Sequence, residues 1–241
     1  MPQNSPSTDS AEIADVAARL VKARENRTAI ASFADDVPGL DLAAAYAVQR
    51  VLREQAGPQV GWKLGVTSRA KQVQVGVSEP IRGFLAAEHA LDIGVPLEVD
   101  QHIQPRAEPE IVFVMDRDLD APNATAADVL AATGAVAVGI EVLDSRYLDY
   151  RFTMPDVVAD NASAARFVVG TPVPASGIDL RLVGVVLEHD GDVVASASGA
   201  AALGHPAAAV AWLVRSLAAD GEGLRAGEIV LSGGLTAAVP V

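Results

Sequence analysis

Three glutamates stand where an ionised side chain is costly. Glu141 interrupts AVAVGIEVL, residues 135–143, whose other eight residues are apolar or glycine. Such a run reads as a strand buried on both faces. A lone carboxylate inside it must be protonated, paired or bound to a cation. Glu108 and Glu110 lead into the apolar run 111–115 in QPRAEPEIVFVM; being two apart, they share one face of an extended strand. Like charges side by side are unfavourable unless a cation lies between them. Each observation alone has an ordinary alternative: an arginine partner or a solvated strand end for Glu141, a solvated strand entrance for the other two. Together they form an oxygen-only ligand set suited to Mg²⁺ or Mn²⁺. Three protein ligands leave positions open for water or a chelating substrate.

Lys63 lies in GWKLGV between Gly61 and Gly65. It either snorkels from a strand or sits partly buried with a lowered pKa, able to hold a substrate carboxylate or move a proton. Asp160, Asn161 and Ser163 cluster in DVVADNAS, a composition that local turn formation already explains. Gly233-Gly234 in LSGGLTAAVPV offers backbone N–H groups to an anion and equally makes a plain turn. Arg146, in DSR, suits either a substrate anion or a structural ion pair. His205 reads as a helix cap, and His102 and His189 as surface residues. No Ser-His-Asp pattern or nucleophile elbow is present; SGG at 232–234 is not G-x-S-x-G.

The elements that must position these groups change character near Gly57. Residues 1–9 are rich in Ser, Pro and Asn and are expected to be disordered. A helix follows from Ser10, with Asp9 or Ser10 as cap and Ile13, Val16, Ala17, Leu20 and Val21 on one face. A second runs from Asp41 to near Gly57, its apolar face of Leu42, Ala45, Tyr46 and Leu52 interrupted by Gln49. Beyond it, strands are expected at 62–66, 110–115, 135–143, 165–169, 183–188, 193–197 and 228–231. Asp190-Gly191 signals a type I′ hairpin. Helices are expected at 125–132 and from Pro206, with Val210, Leu213, Val214 and Leu217 on one face. The expectation is an α+β fold, with a tail and helical region over 1–57 and a mixed β catalytic domain over 58–241.

Composition removes several functions. The 18 basic and 31 acidic residues give a net charge of −13, which disfavours nucleic acid and anionic membranes as partners. The absence of cysteine excludes disulfides, zinc–thiolate sites, iron–sulfur clusters and cysteine nucleophiles. No apolar run spans a bilayer, and the polar start MPQNSPSTDS lacks the pattern of a signal peptide; a cytoplasmic protein is expected.

The segments GWKLGVTSRAKQVQVGVSEPIRGFL, QPRAEPEIVFV, GIEVLDSRYLDYRF, VVADNAS, LGHP and LSGGLTAAVPV, in that order over residues 60–241, resemble the fumarylacetoacetate hydrolase superfamily. More narrowly, they resemble its 2-hydroxypentadienoate hydratase and 4-oxalocrotonate decarboxylase branch. EVLDSRYLDYRF, EPIRGFL, GAAALGHP and GGLTAAVPV look more like the decarboxylases; hydratases typically carry PDFG near EPIRGFL. The resemblance implies N-terminal helices packed on a mixed β-sheet roll or partly open barrel. It implies Glu108, Glu110 and Glu141 as ligands of Mg²⁺ or Mn²⁺, Lys63 as catalytic, and Asp160, Asn161, Ser163, Ser232 and Thr236 near the substrate. The implied reaction is decarboxylation of 2-oxo-3-hexenedioate to 2-hydroxypenta-2,4-dienoate in meta-cleavage degradation of aromatic compounds. Hydration of that dienoate is the alternative. Hydrolysis of an acylpyruvate needs a general base, and no histidine stands beside the metal motif. A reading of another class is a non-catalytic structural partner of such an enzyme. The implied partners are a small 2-oxo dicarboxylate, further copies of the chain in a homo-oligomer, and a partner hydratase. Relatives continue past AVPV with a last strand, so either an open sheet edge or a neighbouring chain is expected there.

Overall fold

The computed structural model of the protein describes residues 9–68, 72–73 and 79–241. The disordered tail expected at 1–9 lies outside these except for Asp9. Residues 69–71 and 74–78 of the GWKLGVTSRAKQVQVGVSEPIRGFL segment also lie outside them. Among the described residues, no helix is long and apolar enough to cross a membrane.

Two capped helices open the chain. In α1 (Ser10–Asn26), Asp9 accepts from the Glu12 N–H at 2.8 Å, and Val16, Ala17, Leu20 and Ala23 form the buried stripe. In α2 (Leu42–Gln55), Asp41 accepts from the Ala44 N–H at 2.8 Å. Each cap satisfies an N–H that the first helical turn leaves open. Gln49 does not break the apolar face of α2. It is buried, and its amide donates to the carbonyls of Arg82 and Val158, each at 2.9 Å, which ties the helix to two other elements.

The main sheet runs β2-β1-β9-β3-β4-β5, built from β1 (Gln59–Gly65), β2 (Ile81–Ala86), β3 (Arg106–Met115), β4 (Thr133–Leu143), β5 (Ala164–Val169) and β9 (Ile229–Leu231). Short strands β6 (Val173–Pro174) and β10 (Val239–Pro240) pair with β4 and β3. The β1–β9 pair is parallel and the others are antiparallel, so the sheet is mixed. It curls into an open half-barrel, the α+β architecture expected. A separate ribbon pairs β7 (Gly184–His189) with β8 (Asp192–Ser198). Asp190 and Gly191 between them have φ of 52° and 86°, the positive pair that a type I′ turn demands.

Strand alternation sorts the sheet into two faces. Trp62, Leu64, Phe84, Ile111, Phe113, Val136 and Val230 point outward and pack with α5 (Pro206–Ala219) and α3 (Ala126–Ala132) in the largest core. His205 caps α5 by accepting from the Ala207 N–H at 3.0 Å. The opposite face carries a small apolar cluster of Leu85, Val112, Ala137, Phe167 and Leu231. By the same alternation it also carries Lys63, Glu108, Glu110 and Glu141. A third cluster joins α1 and α2 to α4 (Met154–Ala159), Phe33 and Tyr147.

Sequence patterning missed two elements that frame the site. β2 (IRGFLA) is wholly buried, yet it contains Arg82 and Gly83 and follows Pro80, which masks it. Arg82 is tolerated because Asp220 pairs with it and Tyr46 stacks 4.6 Å from its guanidinium. At six residues, α4 is too short to show periodicity; its sequence signals are Pro155 and the Thr153–Asp156 capping box. β3 also starts four residues earlier than expected and so contains both of its glutamates. β4 is not buried on both faces: Glu141 is inaccessible, while Val138 on the other face is 58% exposed.

The turn between α4 and β5 is unusual. Asn161, Ala162 and Ser163 all have left-handed φ values of 49°, 51° and 59°, which cost non-glycine residues on the order of 1–2 kcal/mol each. Buried Arg146 holds this turn. It pairs with Asp160 and donates to the carbonyls of Asp144 at 2.7 Å, Asp160 at 2.5 Å and Ala164 at 3.2 Å. Arg146→Met leaves Asp160 buried without its counter-charge and is expected to lower stability by about 3–5 kcal/mol, measured by urea unfolding.

Candidate metal centre

β3 and β4 pair so that Glu108 faces Glu141 and Glu110 faces Gly139. The three carboxylates therefore converge on one face. Each offers an oxygen within 4.8 Å of the others, and all three side chains are buried. Glu110 Oε1 and Glu141 Oε2 have no hydrogen-bond partner in the described structure. Buried acceptors left this way are costly; protons on the carboxyls would relieve that cost in part, and a divalent cation with oxygen ligands would satisfy them as ionised groups. The residues therefore fit Mg²⁺ or Mn²⁺.

Two neighbours complete the cluster. Lys63 Nζ lies 3.0 Å from Glu141 Oε1 and donates to the Ala162 carbonyl at 2.9 Å. Gly83 stands opposite Lys63 on β2. A Cβ there would sit 2.7 Å from the Asn161 carbonyl oxygen and 3.0 Å from Lys63 Cδ, so only glycine leaves room for the lysine stem. The Gly233-Gly234 turn runs beside β3, fastened by Ser232 N–H to Ile111 O and Leu235 N–H to Pro109 O. The anion it cradles is a carboxylate of the protein: Gly233 N–H donates to Glu110 Oε2 at 2.6 Å. A Cβ on Gly234 would lie 2.1 Å from the Glu108 carboxylate.

Burial dominates the electrostatics. It raises the Glu110 pKa well above the ordinary carboxylate value, and Glu141 and Glu108 raise it further. Burial also raises Glu141, against the opposing pull of Lys63.

The cluster borders a cavity of about 440 Å³, lined by Lys63, Glu108 and Arg106 and by apolar walls that include Ile81, Phe152 and Val157. Of the polar loop expected near the substrate, Ser163 lines this cavity with Ala162. Asp160 turns away to Arg146; burial raises its pKa to about 6 despite that arginine. Asn161 bonds the backbone of Phe84 through both side-chain atoms, accepting from its N–H at 2.8 Å and donating to its carbonyl at 3.0 Å. Ser232 donates its hydroxyl to Ile111 O at 2.8 Å, and Thr236 donates to Ala237 O at 3.0 Å. The structure thus brings Glu108, Lys63 and Ser163 to one cavity, with Glu110 and Glu141 clustered against Glu108, while Asp160, Asn161 and Ser232 brace neighbouring backbone. Arg106 and Thr67 were missed. Arg106 had a sequence signal, because it stands two residues before Glu108 and shares its face. Thr67, buried with an unpartnered Oγ1 beside Gly233, had none.

No family model matches the chain. It is 43% identical over 239 residues to the 2-keto-4-pentenoate hydratase of Burkholderia vietnamiensis, a match covering 97% of this chain and 91% of that one. It is also 43% identical over 212 residues to a 4-oxalocrotonate decarboxylase of a Pseudomonas species, covering 86% and 80%. Its fold superposes with a TM-score of 0.95 on the 4-oxalocrotonate decarboxylase of Pseudomonas putida complexed with magnesium and adipate, at 39% identity over 98% of this chain and 92% of that one. The same enzyme, also determined with calcium and acetate, gives a TM-score of 0.92 at 38% identity over 98% of this chain and 92% of that one.

The raised carboxylates set a pH dependence with a definite sign. Without metal, the fold holds protons on Glu110 and Glu141 that the unfolded chain releases at lower pH. The stability of the metal-free protein should therefore fall as pH rises through the folded values. Cation binding needs these groups ionised, so it should expel protons and tighten as pH rises from the ordinary carboxylate range through the raised folded values. Titration calorimetry in buffers of different ionisation enthalpy should show this release, and Glu110→Gln should diminish it.

Proposed function

The chain belongs to the fumarylacetoacetate hydrolase superfamily, in its hydratase and decarboxylase branch, and from that footing we propose that it is a divalent-metal-dependent lyase that decarboxylates 2-oxo-3-hexenedioate to 2-hydroxypenta-2,4-dienoate. The observation that carries the reading is the buried triad of Glu108, Glu110 and Glu141 beside Lys63, with two carboxylate oxygens lacking a protein partner.

The triad would hold Mg²⁺ or Mn²⁺. When bound, the cation supplies Lewis-acid stabilisation of charge developing at the 2-oxo oxygen. Lys63 has three N–H groups. Glu141 and the Ala162 carbonyl account for two, and the third is available to orient the 2-oxo acid or to deliver a proton to the C2 oxygen. In the reaction, the bond from C5 to the distal carboxylate breaks and CO₂ leaves. The electron pair moves through C4 and C3 to the C2 oxygen, which takes up one proton. Ile81, Phe152 and Val157 give the cavity an apolar wall, which suits the carbon chain of the substrate and neutral CO₂ as it leaves.

A hydratase reading stands beside this one, because the Burkholderia hydratase is as similar in sequence as the Pseudomonas decarboxylase. Supplying purified protein and Mg²⁺ with 2-oxo-3-hexenedioate and with 2-hydroxypenta-2,4-dienoate separately distinguishes the two. CO₂ release with growth of the dienol's ultraviolet band is expected from the first. Loss of that band from the second, with no CO₂ from the first, would establish hydration instead.

Two substitutions test the roles. Lys63→Ala should lower kcat on the order of 10²–10⁴-fold with a much smaller effect on thermal stability, followed by calorimetry. Glu141→Gln should abolish metal-dependent turnover, and retained turnover would remove Glu141 from the ligand set.

A further inference from the structure

We infer that Arg106 forms a second anionic subsite in the same cavity, and that it receives the distal carboxylate of a dicarboxylate substrate. The inference rests on the reading of the glutamate triad and Lys63 as the end that takes the 2-oxo acid.

Among the described residues, three charged side chains line the cavity: Lys63, Arg106 and Glu108. Lys63 gives two of its N–H groups to Glu141 and the Ala162 carbonyl and keeps the third for the 2-oxo acid end. Arg106 makes no ion pair or side-chain hydrogen bond within the described structure. Its one recorded side-chain partner is an aromatic face, with the guanidinium carbon 4.2 Å from the centre of the Tyr150 ring. That ring is fixed by its hydroxyl, which lies 3.1 Å from the Leu143 carbonyl and 3.2 Å from the Gln104 carbonyl. Contact with a ring face leaves the N–H fork of an arginine free, and the fork matches a carboxylate in two-point geometry. A half-buried cation without a counter-ion, in a chain of net charge −13, is matched by an anion brought from outside.

Strand spacing and the length of a six-carbon chain are of the same order. Arg106 and Glu108 are alternate residues on one face of β3, about 6.8 Å apart along the strand. An extended six-carbon diacid holds its carboxyl carbons on the order of 6 Å apart, from five bonds of about 1.5 Å. The apolar residues Leu143, Phe152 and Val157 border the same cavity and suit the carbon chain between two charged ends. A substrate with one carboxylate would leave Arg106 unpaired, so the subsite favours a dianion.

The test compares adipate with hexanoate by titration calorimetry on the Mg²⁺-loaded protein, in the wild type, Arg106→Met and Arg106→Lys. The wild type should bind the diacid about tenfold or more tightly than the monoacid. In Arg106→Met that preference should vanish, with hexanoate affinity within about twofold of wild type; Arg106→Lys, which keeps the charge but loses the fork, should retain part of it. An undiminished preference in Arg106→Met, or none in the wild type, overturns the subsite while hexanoate binding that depends on Mg²⁺ leaves the metal reading standing. If neither acid binds any of the three proteins, with or without Mg²⁺, the reading of the triad falls and the subsite falls with it.

Discussion

Charge confined away from water governs this structure. Three carboxylates and one ammonium are gathered in a place with almost no solvent. No arrangement of neutral side chains offsets that. The fold meets the problem partly by raising carboxylate pKa values and partly by bringing up donors, Lys63 and the Gly233 N–H. A divalent ion, if held by the three glutamates as proposed, would add the opposite charge that such a cluster favours. The sheet's alternation, the glycine opposite Lys63 and the left-handed turn at 161–163 can all be understood as conditions for keeping these groups together.

The turn shows how strain and support are joined. Its strained residues present the Ala162 carbonyl to Lys63, and two anchors restrain it from opposite directions. Arg146 grips its start through Asp160, and Asn161 clasps the Phe84 backbone on β2. Gln49 links α2 to the carbonyls of Arg82 and Val158, so the N-terminal helices press on both elements that bracket the lysine.

Much of the centre was legible in the sequence because its residues break local rules. Glu141 is a single charge in an apolar run, and Glu108 and Glu110 obey strand alternation just before another; such violations stand out without any knowledge of the fold. The α+β character and most strands followed from the same patterning. What stayed hidden depends on partners distant in sequence. β2 carries an arginine that only Asp220 and Tyr46 make tolerable. Asn161 and Ser232 have the composition of a substrate loop, yet their side chains hold the backbones of Phe84 and Ile111. Arg106 looks like an ordinary strand-entrance cation until the Tyr150 ring and the cavity are seen around it.

The order of strands has a bearing on how the molecule is born. β9 lies between β1 and β3, yet it leaves the ribosome after β4 to β8. Until it emerges, the nascent chain can hold a β1–β2 hairpin and a β3–β4–β5 meander, but both present an unzipped edge where the other belongs. The glutamates are translated long before Gly233, whose amide steadies one of them. Assembly of the carboxylate cluster therefore waits for β9 and the turn that follows it, and the chain that lacks them is the form most in need of a chaperone.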